Sequence, residues 1–266
     1  MKRFVPGILL AFCWFFLLYK GSSSLFAVVM IPVAFWGSDE YVRMAGAGRF
    51  SLLQRLFLDT LIVVPLVLAA FIPGTAGLTG GIVLSFTLLT LWCFSVYARY
   101  ADCYDLFCRL VFGVVYLGVL GAHIFALRLL PEGGSWLLVL TAITAGSDSG
   151  AYYVGRAFGK SKLCPGISPN KTREGALGGL VAGLVIGVIF AQLFLAEPHW
   201  PFLIMAAVIL TGAGIAGDLT ESIVKRGTGV KDSGHCLGEH GGILDRIDSL
   251  LFAAPLLYYL LVIVGK

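Results

Sequence analysis

Apolar runs long enough to cross a bilayer recur along almost the whole chain, and they constrain its fold more than any motif does. Clear runs cover residues 52–72, 78–98, 106–130, 136–154, 177–196, 202–223 and 247–264. Each is near the roughly 20 residues a helix needs to traverse the hydrocarbon layer. Two more runs, 4–19 and 25–36, precede them. The second is short, so it is expected to be tilted, re-entrant or a full span. Composition points the same way. Of the 266 residues, 58% are hydrophobic and only 13% charged, where a soluble domain carries about 25% charged residues. Mean hydropathy is +0.92. A water-soluble fold would have to hide far more apolar surface than one core can hold. The expected fold is therefore all-α, a polytopic transmembrane helix bundle of about nine spans, with eight as the alternative.

The first run follows Met1-Lys2-Arg3 and so resembles the start of a signal peptide. It ends in Lys20-Gly21-Ser22-Ser23-Ser24 rather than a small-x-small cleavage site, which favours an uncleaved first helix. Nine alternating spans with a cytoplasmic N-terminus place all Lys and Arg except Lys20, Arg128 and Lys266 on one side. That asymmetry obeys the positive-inside rule. It assigns the two long polar loops, 155–175 and 224–246, to the cytoplasm, where nucleotides are available. The chain is expected to divide into N-terminal helices, 1–130, and a C-terminal catalytic region, 131–266. Compactness and the lack of a targeting presequence lean toward a bacterial cytoplasmic membrane. A net charge of +4 without a basic, aromatic-interleaved stripe gives no reason to expect nucleic acid. The six cysteines include no C-x-x-C pair and are expected to be reduced and non-catalytic. The spacing of His235, Cys236 and His240 fits no usual zinc pattern.

Against this apolar background, residues 222–248 stand out: S-I-V-K-R-G-T-G-V-K-D-S-G-H-C-L-G-E-H-G-G-I-L-D-R-I-D. Lys225, Arg226, Lys231 and Arg246 are set against Asp232, Glu239, Asp245 and Asp248 among glycines and two histidines. Carboxylates can hold a divalent ion, Lys and Arg can hold phosphate oxygens, and glycine lets backbone approach both. Asp148 and Asp218 lie inside apolar segments, where a carboxylate costs roughly 2.5–3.5 kcal/mol on insertion scales. A bound cation or an internal basic partner is the usual compensation. Asp218, Glu221, Ser222 and Lys225 fall at i, i+3, i+4 and i+7 and share one helix face. Asp245 and Asp248 share a face of the last helix. The segment 167–175 adds Ser168, Lys171, Thr172, Arg173 and Glu174 just before a helix N-terminus, where an anion can bind. Glycines 178, 179, 183 and 187 read as helix-packing positions.

At these residues the chain resembles the phosphatidate cytidylyltransferase (CDP-diacylglycerol synthase) family. That family's pattern runs S-x-x-K-R, four residues, K-D, a short spacer, H-G-G, one apolar residue, x-D-R-x-D, and residues 222–248 fit it throughout. Residues 148–160 and 167–175 are similar as well, so the likeness covers about a quarter of the chain. The chain departs from the family's habits at Asn170, Arg173, Gly238 and Glu239. The resemblance implies attack of phosphatidate on CTP to give CDP-diacylglycerol and pyrophosphate. It implies magnesium, with a monovalent cation such as potassium as a companion. Asp218 and Asp245 would be metal carboxylates, with Asp148 and Asp248 as further candidates for the metal. Asp148, Lys171 and Lys225 would join those two as catalytic residues. Ser168, Thr172, Arg173, Ser222, Arg226, Lys231, His240, Gly241, Gly242 and Arg246 would contact substrate. His240 is a weak candidate for a base; a structural or phosphate-binding role is the stronger expectation. The partners implied are CTP, phosphatidate and the lipid bilayer, and a homodimer is left open.

Three other readings have distinguishing marks. A CTP-dependent lipid kinase, or a cytidylyltransferase for another lipid phosphate, could share the metal site. A cation transporter would need polar positions across the whole bilayer, whereas here they crowd toward one face. A CDP-alcohol phosphotransferase would carry D-G-x-x-A-R, which is absent.

Overall fold

The structure, a computed structural model, describes residues 4–72, 74–234 and 241–265. Helix dominates because a backbone in lipid has no water to bond, and a helix satisfies its own N–H and C=O groups. In chain order the helices are α1 (Phe4–Lys20), α2 (Ser23–Ala45), α3 (Leu52–Phe71), α4 (Thr75–Val96), α5 (Cys103–Gly113), α6 (Leu120–Leu129), α7 (Gly133–Phe158), α8 (Arg173–Phe194), α9 (Trp200–Gly227) and α10 (Leu244–Ile263). A π-helical turn, Val114–Val119, joins α5 to α6, so the two read as one rod, Cys103–Leu129. Among the described residues, seven helices are long and apolar enough to span a membrane. The exceptions are α1, which is shorter, and α7. The latter has 26 residues, but its C-terminal half, G-S-D-S-G, is polar. The protein is thus an all-α polytopic membrane protein, as its hydropathy implies.

Two departures from the sequence pattern matter later. The run 25–36 is the first half of α2, a 23-residue helix long enough for a full span, one of the alternatives its sequence leaves open, and the helix runs further than the apolar stretch. It continues through Gly37-Ser38-Asp39-Glu40-Tyr41 because those polar side chains have inward partners. Ser38 Oγ donates to Asp59 at 3.0 Å, and Tyr41 Oη donates to the Arg109 carbonyl at 2.7 Å. The segment 155–175 is not all loop: β1 (Lys162–Cys164) and β2 (Ser168–Thr172) pair antiparallel, with Lys162 opposite Thr172.

The chain forms two compact units. The first comprises Met1–Ser23, Leu127–Arg226 and Ile247–Lys266. Its centre is the packing of α7 on α8. The buried side of α8 reads Gly175, Gly179, Gly183, Gly187, Ala191, a stripe of small residues every four positions. Such a stripe lets two backbones approach closely, which is how helices gain contact without a hydrophobic drive in lipid. In the same unit α1 is tied to α7 by Trp14, whose indole N–H donates to Thr141 Oγ1 at 3.1 Å. Arg128 donates to the carbonyls of Leu18 and Gly21 at the end of α1.

The second unit comprises Ser24–Ala126 and Gly227–Arg246. Here α3 packs on α4, where Ser85 Oγ donates to the Leu61 carbonyl at 2.6 Å. The α2–α3 and α4–α5 connections are clamped by a two-pronged Arg49–Asp102 pair at 2.8 and 2.9 Å. That fork holds the exposed Asp102 carboxyl below its ordinary pKa. Helix α3 starts in a capping box, in which Ser51 and Gln54 exchange side-chain and backbone bonds.

Candidate active site

In the first unit, a cleft of about 500 Å³ opens between the polar half of α7, the β-hairpin and α9. Asp148, Tyr152 and Arg156 reach it from α7, Asn170, Lys171 and Thr172 from β2, and Asp218 from α9. Three separate stretches of sequence therefore converge on one concavity. Lys171 Nζ meets Asp218 Oδ2 at 2.5 Å, with 22% and 36% of the two side chains exposed. The Asp218 carboxylate, set within an apolar helix, thus has an internal basic partner. Asp148 lines the same cleft and is itself accessible. Asp248, nine-tenths buried on α10, lies within electrostatic range of Asp218, Asp148 and Lys225.

Local structure explains why the hairpin can present Lys171. Glu174 accepts hydrogen bonds from the Lys160 and Ser161 amides, each at 3.1 Å, and ties the end of α7 to the start of α8. The Arg173 amide donates to the Ser161 carbonyl at 2.8 Å. Thr172 caps α8, its Oγ1 accepting from the Gly175 amide at 3.1 Å. That hydroxyl is committed to the helix start. The cap leaves Lys171 one residue upstream, half-buried and turned into the cleft.

The face predicted for α9 is present. Lys225 and Glu221 pair at 2.7 Å, one turn below Asp218, and Ser222 is half-buried beside them. Arg226 ends the helix exposed. The approach of α10 to α9 depends on Gly217, because a Cβ there would lie 2.4 Å from the Asp248 carbonyl oxygen. Ser249 Oγ donates to the Gly214 carbonyl at 3.3 Å across the same contact. Ser168 sits half-buried at the start of β2, and Arg173 is exposed at the first position of α8.

The remaining predicted residues belong to the second unit. Asp245 Oδ2 accepts from Ser233 Oγ at 2.9 Å and from the Gly242 amide at 2.9 Å. Gly241 has φ +78°, a left-handed conformation that favours glycine, and its missing Cβ leaves room for the Asp245 carboxylate. The Gly-Gly pair therefore wraps the aspartate of its own motif. Lys231 and Arg246 are exposed. His240, with His235 and Cys236, lies outside the described residues. Sequence reasoning missed Glu40, which binds the backbone at the start of α10 in this unit. The only hint was a polar S-D-E triplet interrupting an apolar helix.

Among the described residues, no three His, Cys, Asp or Glu side chains converge tightly enough to cage a metal. The donor set still fits magnesium, which takes one or two carboxylates and completes its shell with water and substrate phosphate. Asp148 and Asp218 facing one cleft are such a set.

The chain as a whole matches the Cytidylyltransferase family over residues 1–264, and it belongs to that family. Among its relatives, the phosphatidate cytidylyltransferase of Bacillus subtilis strain 168 is 33% identical over 263 residues, covering 98% of this chain and 97% of the relative. The phosphatidate cytidylyltransferase of Staphylococcus haemolyticus is 35% identical, covering 88% and 95%. The Haemophilus influenzae protein of the same name reaches 42% over 134 residues, 48% of this chain and 46% of the relative.

Proposed function

We propose that the protein is an integral-membrane phosphatidate cytidylyltransferase, forming CDP-diacylglycerol and pyrophosphate from CTP and phosphatidate. The observation that carries this reading is the Lys171–Asp218 pair in a cleft shared with Asp148. A cation and two carboxylates in one concavity are what two phosphate-bearing substrates and a divalent ion require. Full-length likeness to proteins of that name supports the substrates.

An oxygen of the lipid phosphate forms a bond to the α-phosphorus of CTP, and the bond from that phosphorus to the pyrophosphate oxygen breaks in line. The nucleophile is largely ionised near neutral pH, so no strong general base is needed. The difficulty is bringing anions together, and catalysis is mainly positioning and charge neutralisation. Lys171 holds phosphate oxygens in the cleft, and Lys225, Arg226, Lys231 and Arg246 are further cations for the triphosphate and lipid phosphate. Asp218 and Asp148, together with Asp248, would hold magnesium, and the family resemblance makes Asp245 a further candidate metal carboxylate. When bound, magnesium neutralises charge on the reacting phosphates. A monovalent companion cation such as potassium, and a homodimer, are compatible with this reading and not required by it. The Lys and Arg asymmetry supports an active site on the cytoplasmic face of a bacterial inner membrane. Acyl chains then stay in the bilayer while the head group meets CTP at the interface.

The test uses purified protein, phosphatidate, and CTP labelled at the α or the γ phosphate, with and without magnesium. Magnesium-dependent transfer of the α label into lipid is expected. Transfer of the γ label would instead make the protein a lipid kinase, and no transfer of either would refute the reading.

A further inference from the structure

Glu40 is nearly the last residue one would connect with the 222–248 motif. It lies about 200 residues upstream, on α2, and only 5% of it is exposed. A carboxylate so deeply buried needs donors, and it has three within its own unit. Oε1 accepts from the Ile243 amide at 3.0 Å. Oε2 accepts from the Leu244 amide at 3.1 Å and from Ser233 Oγ at 3.3 Å. Leu244 is the first residue of α10. Glu40 therefore satisfies the unpaired N–H groups at that helix start, and its negative charge sits at the positive end of the helix dipole. A distant residue does what a local Ser or Asp usually does at a helix start.

The glycines of the motif make this approach feasible. A Cβ on Gly234 would lie 2.6 Å from Glu40 Oε1, and one on Gly242 would lie 2.4 Å from Oε2. Side chains at either position would push the carboxylate out. Ser233 then links Glu40 to Asp245. Its one hydroxyl proton stands between Glu40 Oε2 at 3.3 Å and Asp245 Oδ2 at 2.9 Å. Asp245 is bound in turn by the Gly242 amide. One buried carboxylate thus holds both Ser233, which bonds Asp245, and residues 243–244, which lead directly into it.

We propose that Glu40 is a positioning residue that sets the orientation of Asp245 by holding the start of α10 and sharing Ser233 with it. The inference rests on the assignment of Asp245 to the cytidylyltransferase site. Groups that orient a metal-binding carboxylate typically contribute 10–100-fold in affinity or activity. Glu40→Gln is nearly isosteric, but its amide turns a donor toward one of the two N–H groups. Glu40→Ala removes both acceptors.

The experiment measures hydrogen exchange in peptides covering 241–250 of the metal-free, detergent-purified full chain, beside steady-state kinetics. For both variants, exchange at 243–244 is expected to accelerate at least about tenfold while α3 and α4 exchange as in the wild type. In parallel kcat should fall about 10–100-fold, with KM for phosphatidate little changed. Wild-type exchange at 243–244, or accelerated exchange with wild-type kcat, would overturn the proposal. A uniform rise across α3, α4 and α10 would also overturn it, making Glu40 a residue of bundle stability alone. If the wild type transfers no cytidylyl group but the local acceleration appears, the functional reading fails while the Glu40 contacts stand.

Discussion

Replacing Lys171 with methionine separates the structural from the chemical role of the cleft. At 2.5 Å, the Lys171–Asp218 attraction is about 6–7 kcal/mol at an effective dielectric of 20. Most of that is lost to desolvation and solvent screening, because 22% of one side chain and 36% of the other are exposed. Pairs of this kind are worth about 1 kcal/mol net. Asp218 can rehydrate through the open cleft, so K171M is expected to cost about 1 kcal/mol of stability, with its aliphatic stem still packed. Activity should respond on a different scale. A preorganised cation aimed at developing phosphate charge contributes about 2.7–4 kcal/mol, or roughly 100–1000-fold in rate. The assay is transfer of α-labelled cytidylyl from CTP to phosphatidate in mixed micelles, beside thermal unfolding of the same preparation. A K171M protein that keeps kcat within about threefold of wild type would refute a phosphate-facing role. A large loss of stability with little loss of turnover would make the pair a structural tie.

Asp218→Asn should abolish magnesium-dependent turnover while the protein still inserts; full activity in the purified variant would remove the metal assignment, and Asp245→Asn is tested the same way. Glu174→Ala frees the Lys160 and Ser161 amides that anchor the hairpin, so KM for CTP should rise about tenfold and proteolysis between 158 and 172 should quicken; unchanged KM would show that the hairpin needs no such anchor. Gly217→Val places side-chain atoms against the Asp248 carbonyl, where even a Cβ would lie at 2.4 Å. Forcing α9 from α10 should cost roughly 1–3 kcal/mol, read as a lowered unfolding temperature, with turnover falling because Asp218 and Asp248 are displaced.

Hydropathy made the helices legible because lipid leaves the backbone few choices. It located 177–196, 202–223 and 247–264 to within about a turn of α8, α9 and α10. It stopped α2 at residue 36 because Ser38, Asp39 and Glu40 look like a loop when their partners are unknown. Those partners, Asp59, Arg43 and Arg55 for the first two and Ser233, Ile243 and Leu244 for Glu40, are mostly distant in sequence. The hairpin was hidden for a related reason. Its strands of three and five residues carry no period-2 pattern, and it is held by the Arg173–Ser161 backbone bond and by amide bonds to the Glu174 carboxylate. Site residues were easier to pick out than their roles. Lys171 and Asp218 were conspicuous as charges, whereas Thr172 and Gly242 turned out to be committed to a helix cap and to Asp245.

The Lys171–Asp218 pair also bears on how a membrane enzyme can keep carboxylates in apolar helices without paying their full insertion cost. Alone, Asp218 would be an uncompensated anion within an apolar helix, which is expensive in lipid. Paired at 2.5 Å with Lys171, it is half of a neutral unit. The pair lines an open cleft, so on the proposed reading substrate phosphates would compete for Lys171. On that reading, a phosphate that took the lysine would free Asp218 to serve as a ligand for a divalent ion. Such an exchange requires the two side chains to come from separate elements, and they do: one from β2, the other from α9. It also predicts that Asp218→Asn strands Lys171 as an unpaired cation. CTP should then still bind, held by the ammonium, while turnover is lost. Equilibrium binding of CTP to D218N in the absence of magnesium reads this directly, and loss of that binding would show that the carboxylate, rather than the lysine, organises the nucleotide site.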